Sequence, residues 1–513
     1  MLVLVAIGVL VLGLCDQPKL EATATSSALS ARARAAMQVP QGIEAAADRE
    51  SAAAPRPAKP SLRDAAIAAM TRGQPADGDN VFALAERVHN VIRDQTVSEV
   101  ELLYPGEPWP SGEAANLVSV PATPREREVS RAVVLAILKG EVPRLLAEVA
   151  SADRAVVQLH PDVLTLTSYK EVSFANSLAR FQSARRELAA ERGDWAEVTL
   201  ALNQTAGLVS ALRSTRLALP TLFASGIEMT VQTQVLQWAA AGTLDEAGAA
   251  RIADALARPV ADDPTAWIET ERLFALDTLD FMTRQGPGSD EALRRIVQGQ
   301  DPWPDHDRRS TRALSSAEQA EQTRVEGLVN AYFADAQRYA AALQAGTASE
   351  DALTNLIKAE QAVPAARPGQ VTRLLRWWLV RQCDRAGART IIALERYRLA
   401  YGEYPSDLLL LVPQFLESVP LDPCTGEPLV YRPPADEPYE GARPYLLYSV
   451  GPDGRDDGGR ADPCWPSSCF DRDRASGRPL DTGDYLLNRE TAEAARAFLA
   501  GRVVPCAEQS PSR

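Results

Sequence analysis

Between residues 325 and 339, Val325, Leu328, Val329, Tyr332, Phe333, Ala336 and Tyr339 recur at spacings of three and four. That spacing lines one face of an α-helix. Similar stretches fill residues 61–370 and predict helices of roughly 15 to 30 residues joined by short turns. Breaks are expected at Gly193-Asp194, Gly242-Thr243, Arg258-Pro259, Gly286-Pro-Gly288 and Gly346-Thr347, where Gly and Pro interrupt the pattern. Thr243-Leu-Asp-Glu246 has the form of a capping box, which places a helix start at Thr243. Leu103 to Asn116 and Gln300 to His306 read as loops. No fixed-period repeat runs through the region, so it predicts a helical bundle or irregular helical array.

The pattern changes after residue 370. A helix is expected from about Val371 to Ala400, with Leu374, Leu375, Trp378 and Leu379 in its first half and Ile391, Leu394 and Tyr397 in its second. Short apolar runs follow at Leu429-Val-Tyr-Arg432, Tyr445-Leu-Leu-Tyr-Ser449 and Tyr485-Leu-Leu487, each a candidate strand. The expected fold is therefore mainly α: a helical bundle or array over 61–370, then a small α+β domain over 371–490 in which a long helix packs on an antiparallel sheet. Residues 491–513 read as a C-terminal helix and tail.

Three motifs lie in this last domain. The helix ends in Tyr397-Arg-Leu-Ala-Tyr-Gly-Glu-Tyr-Pro405, the next turn reads Val419-Pro-Leu-Asp-Pro-Cys-Thr-Gly-Glu-Pro428, and a strand runs into Ser449-Val-Gly-Pro-Asp-Gly-Arg-Asp-Asp-Gly-Gly459. In this order they resemble the globular head of the major pseudopilin of type II secretion systems. The family pattern is Tyr-x-x-x-x-Gly-x-Tyr-Pro, Pro-x-Asp-Pro-x-Gly-x-Pro and Ser-x-Gly-x-Asp-Gly-x-x-Gly-Gly, the last two each one residue shorter than here. The likeness covers roughly a fifth of the chain. The resemblance implies a head-like fold, an association with a secretion or pilus-like system, and a calcium ion in the loop after the last main strand. It carries Asp453 and Asp484 onto acidic positions of that loop. The family's leader, basic and followed by Gly, Phe and an early Glu, is not matched, so a scaffold is expected here, with a true pseudopilin whose start lies upstream as an alternative.

Physical chemistry reaches the same loop independently. Asp453, Asp456 and Asp457 sit among four glycines, Gly451, Gly454, Gly458 and Gly459, and calcium takes oxygen ligands from carboxylates and carbonyls on flexible loops. The candidate ligands are Asp453, Asp456, Asp457 and Asp484, and the cofactor is calcium in a structural role. The other reading of these residues is a solvated acidic turn. Asp422 to Pro428 reads as a structural turn, because a reactive Cys424 needs a base to form its thiolate and no His follows His306.

The chain opens with an uncharged apolar run, Met1 to Leu14. As a helix it reaches only ~21 Å, short of a ~30 Å hydrocarbon core. Residues 1–16 therefore read as a signal peptide or membrane anchor, with a true start upstream, and Cys15 as a candidate for lipid attachment. Residues 17–60, ending in Ser51-Ala-Ala-Ala-Pro-Arg-Pro-Ala-Lys-Pro60, hold few large apolar side chains and read as a disordered tether. The expected location is exported, periplasmic or in the cell envelope. In that setting Cys424, Cys464, Cys469 and Cys506 are disulfide candidates with three possible pairings. Zinc is the other reading, though Cys464-x4-Cys469 is wider than a zinc knuckle. Cys383 falls on the predicted long helix.

A formal net charge of -14 over 513 residues opposes phosphate backbones, so nucleic acid is not an expected partner. His89 sits at helical spacing with Glu86 and reads as a packed or surface side chain. No His-Glu-x-x-His, Gly-x-Ser-x-Gly or phosphate-cradling Gly loop occurs. The expected function is a non-enzymatic envelope scaffold or interaction protein, with a protein partner bound in helical grooves and the membrane reached through the N-terminal segment. An envelope enzyme with its site among the helices is the alternative from another class.

Overall fold

Twelve α-helices and three short strands make up the described residues. The computed structural model describes residues 61–103, 124–159, 169–258, 262–285, 313–348, 350–363, 370–435, 444–451, 454–460 and 484–489, with residues 164, 167, 260 and 439. The expected signal or anchor, the tether and the C-terminal tail lie outside them. In chain order the helices are α1 (Leu62–Thr71), α2 (Val81–Leu103), α3 (Pro124–Ile137), α4 (Val142–Ser151), α5 (Lys170–Glu191) and α6 (Trp195–Ser214). Then come α7 (Ala218–Ala241), α8 (Glu246–Ala257), α9 (Pro264–Gln285), α10 (Ser316–Gln344), α11 (Glu350–Gln361) and α12 (Gln370–Tyr401). The strands β1 (Val430–Arg432), β2 (Leu446–Ser449) and β3 (Tyr485–Leu486) form one antiparallel sheet in the order β1-β2-β3. Tyr431 pairs with Leu447, and Ser449 with Tyr485. The protein is thus mainly helical with a small antiparallel sheet, and all three strands fall where the alternating runs predict them.

Helix boundaries follow local chemistry. Gly193, Gly242 and Gly346 all take positive φ at the predicted breaks, a conformation that side-chain-bearing residues avoid. The helix start predicted at Thr243 is shifted by two residues. Asp245 is the cap, its carboxylate accepting the Gly248 N–H at 2.6 Å, while the Thr243 hydroxyl donates to the Trp238 carbonyl. Asp competes as well as Thr for a cap, and the left-handed Gly242 leaves Thr243 to close the preceding helix. The full capping box lies instead at Ser315 and Glu318, opening α10.

The stripe on α10 is buried as its spacing requires, with Val329 and Ala336 fully enclosed and Leu328 at its margin. Three apolar clusters share the interior. The first gathers α1 to α5 with parts of α6, α7 and α9. The third joins α9, α10 and α11 to Val371, Leu375 and Leu379 at the start of α12. The second continues along α12 through Val380, Ile391 and Leu394, and includes Trp195, Val198 and Trp238 from α6 and α7 together with Leu447, Tyr485 and Leu487 from the sheet region. Helix α12 therefore threads two cores, and its second half lies between helices and sheet. Gly387 makes the sheet side possible, because a Cβ there would meet Leu487 Cβ at 2.9 Å. Arg186 joins α5, α6 and α7. Fully buried, it donates to Gln234 Oε1 at 2.8 Å and Thr205 Oγ1 at 2.7 Å, and burial lowers its guanidinium to a pKa of about 9.

Candidate functional site

The acidic loop after β2 is partly described. Asp456, Asp457 and Asp484 are placed, whereas Asp453 lies outside the described residues. Asp484 is fully buried at the start of β3; its Oδ1 accepts the Asp457 N–H at 3.2 Å and its Oδ2 the Gly459 N–H at 2.6 Å. Burial raises its pKa, and the charges of Asp456 and Asp457 add to the rise against those two hydrogen bonds. Asp456 accepts from the Tyr448 hydroxyl at 2.9 Å and the Gly458 N–H at 2.8 Å. Asp457 keeps one oxygen, Oδ2, buried with no hydrogen-bond donor. The nearest cations are Arg432, 3.8 Å from Asp456, and Arg460, 4.0 Å from Asp457, and the three carboxylates do not bring their oxygens within 4.8 Å of one another.

A second cluster sits on the other side of β2. Asp422, almost wholly buried, ties the Val419–Pro428 turn to the strand. Its Oδ1 accepts the Cys424 N–H at 2.9 Å and the Ser449 hydroxyl at 2.8 Å, and its Oδ2 accepts the Val450 N–H at 3.0 Å. Burial raises its pKa and these donors oppose the rise. The Pro-rich turn and the Ser-x-Gly stretch are therefore one physical unit: the Asp of the turn holds the Ser that opens the stretch. Cys383, buried on α12, brings its Sγ to 3.8 Å from Cys424 Sγ and 3.9 Å from Ser449 Oγ. Among the described residues, Cys383, Asp422 and Cys424 are the one trio whose ligand-type atoms lie within 4.8 Å of one another. Cys464, Cys469 and Cys506 lie outside the described residues. Sequence reasoning left Cys383 as a helical residue and Asp422 as part of a turn; the signal it had was their motif position and residue type, with no measure of proximity.

A cavity of about 520 Å³ opens beside this cluster, between α6, α7, α8, α12 and the Pro420–Pro423 turn. Glu228 and Arg385 on its lining belong to a charged ring. Glu228 accepts from Arg385 at 2.7 Å and from Arg213, while Asp262 accepts from Arg385 and Gln382, both at 2.6 Å. Burial would raise the Glu228 carboxyl, but Arg385 and Arg213 outweigh it and hold it low. Arg258 and Arg389 stand exposed on the lining. His89 packs its ring 5.1 Å from that of Phe174, and burial lowers its pKa. His160 and His306 lie outside the described residues.

No helix among the described residues is long and apolar enough to cross a membrane. No protein-family model, curated protein or solved structure matches the chain.

Proposed function

We propose that the protein is a non-enzymatic, exported scaffold or interaction protein of the cell envelope, in which a helical body carries a pseudopilin-like head stiffened by calcium. The observation that carries this reading is Asp457 Oδ2, buried without a donor beside the buried Asp484. Asp456, Asp457 and Asp484 would hold the ion once their carboxylates draw closer together than they stand, with Asp453 as the remaining candidate. The ion would add its charge to that of Arg432 and Arg460 and pin the loop to β2 and β3.

The rest of the head supports the reading. Tyr404, from the helix-ending motif, packs on Tyr445 with ring centroids 4.9 Å apart and donates to Glu395 at 2.7 Å. Tyr431 of β1 donates to the Pro405 carbonyl at 2.8 Å. The long helix thus turns back onto the sheet through residues of the family pattern. The first half of α12 is covered by α10 and α11, so side-by-side packing of such helices in a filament would require stripping them away; a scaffold role fits this better than polymerisation. The cavity beside α12, with its exposed arginines, offers an acidic segment of an envelope protein a place to dock.

The test is calorimetry of the full chain in calcium and in chelator. Calcium should raise the melting temperature, by about 2.7 kcal/mol of stability at a hundredfold excess over Kd, and Asp457→Asn should remove the gain. No calcium response in the folded chain overturns the reading.

A further inference from the structure

Cys383 belongs to a helix and Cys424 to a turn 41 residues later, yet their sulfurs are 3.8 Å apart. Neither needs the other to be placed. Helix α12 fixes Cys383 by its burial in the second core, and the three hydrogen bonds to Asp422 fix the turn around Cys424. We propose that Cys383 and Cys424 are a dithiol that closes to a disulfide in an oxidising compartment, and that this bond locks the two walls of the neighbouring cavity together. Closure brings the sulfurs from 3.8 Å to the ~2.05 Å of a disulfide. The walls it would join flank the cysteines directly: Gln382, Arg385 and Ala386 on the helix, Pro420, Leu421 and Pro423 on the turn.

The oxidant is a disulfide-bearing small molecule or protein. Cys424, the more exposed of the two, attacks one sulfur of that disulfide as its thiolate; the S–S bond breaks and one thiolate departs. The Cys383 thiol then gives its proton to a departing thiolate, and its sulfur displaces the second thiol from Cys424. The protein loses two electrons and two protons, and the oxidant leaves as two thiols. The hydrogen bond to Cys424 and burial both push the Cys383 thiol up. The rival occupant of the trio is a thiolate-bound metal such as zinc, which would need both thiolates and a further lone pair on an Asp422 that already accepts three donors.

The experiment equilibrates the full chain with oxidised glutathione, alkylates free thiols and maps peptides without reduction. The expected product is the Cys383 peptide joined to the Cys424 peptide, lighter by two hydrogens and released by dithiothreitol. Amide exchange at Leu421 and Cys424 should slow by about tenfold on oxidation, and the slowing should vanish in Cys424→Ser, a half-buried site where the fold survives. Alkylation of both residues in oxidised protein, Cys424 joined instead to Cys464, Cys469 or Cys506, or one zinc per chain that Cys424→Ser releases, each overturns the pair. An unchanged exchange rate in linked protein overturns the locking of the cavity.

Discussion

Glu228 and Asp457 are both carboxylates turned into the protein, and their surroundings are opposite. Glu228 faces Arg213 and Arg385, and Asp262 completes a ring of alternating sign. Asp457 lies beside Asp484, with Arg460 4.0 Å from its Oδ1 and no donor on its Oδ2. Burial acts on both regions in the same direction, toward the neutral acid, and only the neighbouring charges differ. In the first region two guanidiniums overcome burial and hold Glu228 ionised. In the second the acids reinforce burial at Asp484, and Arg432 and Arg460 come no closer than 3.8 Å to Asp456 and 4.0 Å to Asp457. Close opposite charge decides the outcome of burial in one region and is weaker in the other.

Cutting the chain before Val371 has the largest expected effect. It leaves the acidic loop intact but takes Glu228 and Asp262 away from Arg385 and uncovers Ile391 and Leu394, which pack with Trp195 and Trp238. The fragment from Val371 to Arg513 should fail to unfold cooperatively and should bind a hydrophobic dye, checked by near-ultraviolet circular dichroism and dye fluorescence. Next in size is Glu228→Gln, which leaves the buried Arg213 and the half-buried Arg385 with Asp262 as their remaining carboxylate and should cost about 3 kcal/mol in urea unfolding. Smaller effects are expected in the loop. With chelator present, Asp457→Asn should leave stability unchanged or raise it by up to about 1 kcal/mol, since it removes a like charge beside Asp484. With calcium present it should lose the calcium gain. A loss in both conditions would mean that the loop charges are balanced after all.

Glu271 lies between the two cases. It accepts one long hydrogen bond from the Ala218 N–H at 3.4 Å, and burial lifts its pKa to about 7. The folded state therefore holds this proton more tightly than the unfolded chain. That contribution is fully present below about pH 4.5 and is lost as pH rises through about 7. Glu271→Gln should stabilise the protein by about 3 kcal/mol at pH 8, with the difference shrinking towards pH 5 in paired thermal melts. The smallest effect is expected at Glu321→Gln, whose partner Arg324 is a surface cation. Its unfolding midpoint should not move measurably, as is usual for exposed pairs.

Much of the secondary structure was legible because it is written in short-range spacing. The α10 stripe, the breaks at Gly193, Gly242 and Gly346 and the three strand runs each depend on residues a few positions apart, and each fell where predicted; the break expected at Gly286-Pro-Gly288 lies outside the described residues. The shift from Thr243 to Asp245 shows the limit even there, because two good caps stood two residues apart and the preceding helix claimed one. The candidate site was legible as an acidic, glycine-rich loop. Its orphaned oxygen was not, since that depends on which N–H groups Asp484 takes for itself. Cys383, Asp422 and the Glu228 ring were illegible for the same reason: their partners lie tens to hundreds of residues away.

The sequence by itself determined where helices and strands form and which loop concentrates acid, because spacing, caps and glycines act through neighbours along the chain. Only the tertiary structure decided which charges cancel, which thiols meet and that α12 belongs to two cores at once. Those outcomes depend on distance through space: hydrogen bonding and disulfide formation act within a few ångströms, and Coulomb interaction weakens with separation and is screened over about 10 Å.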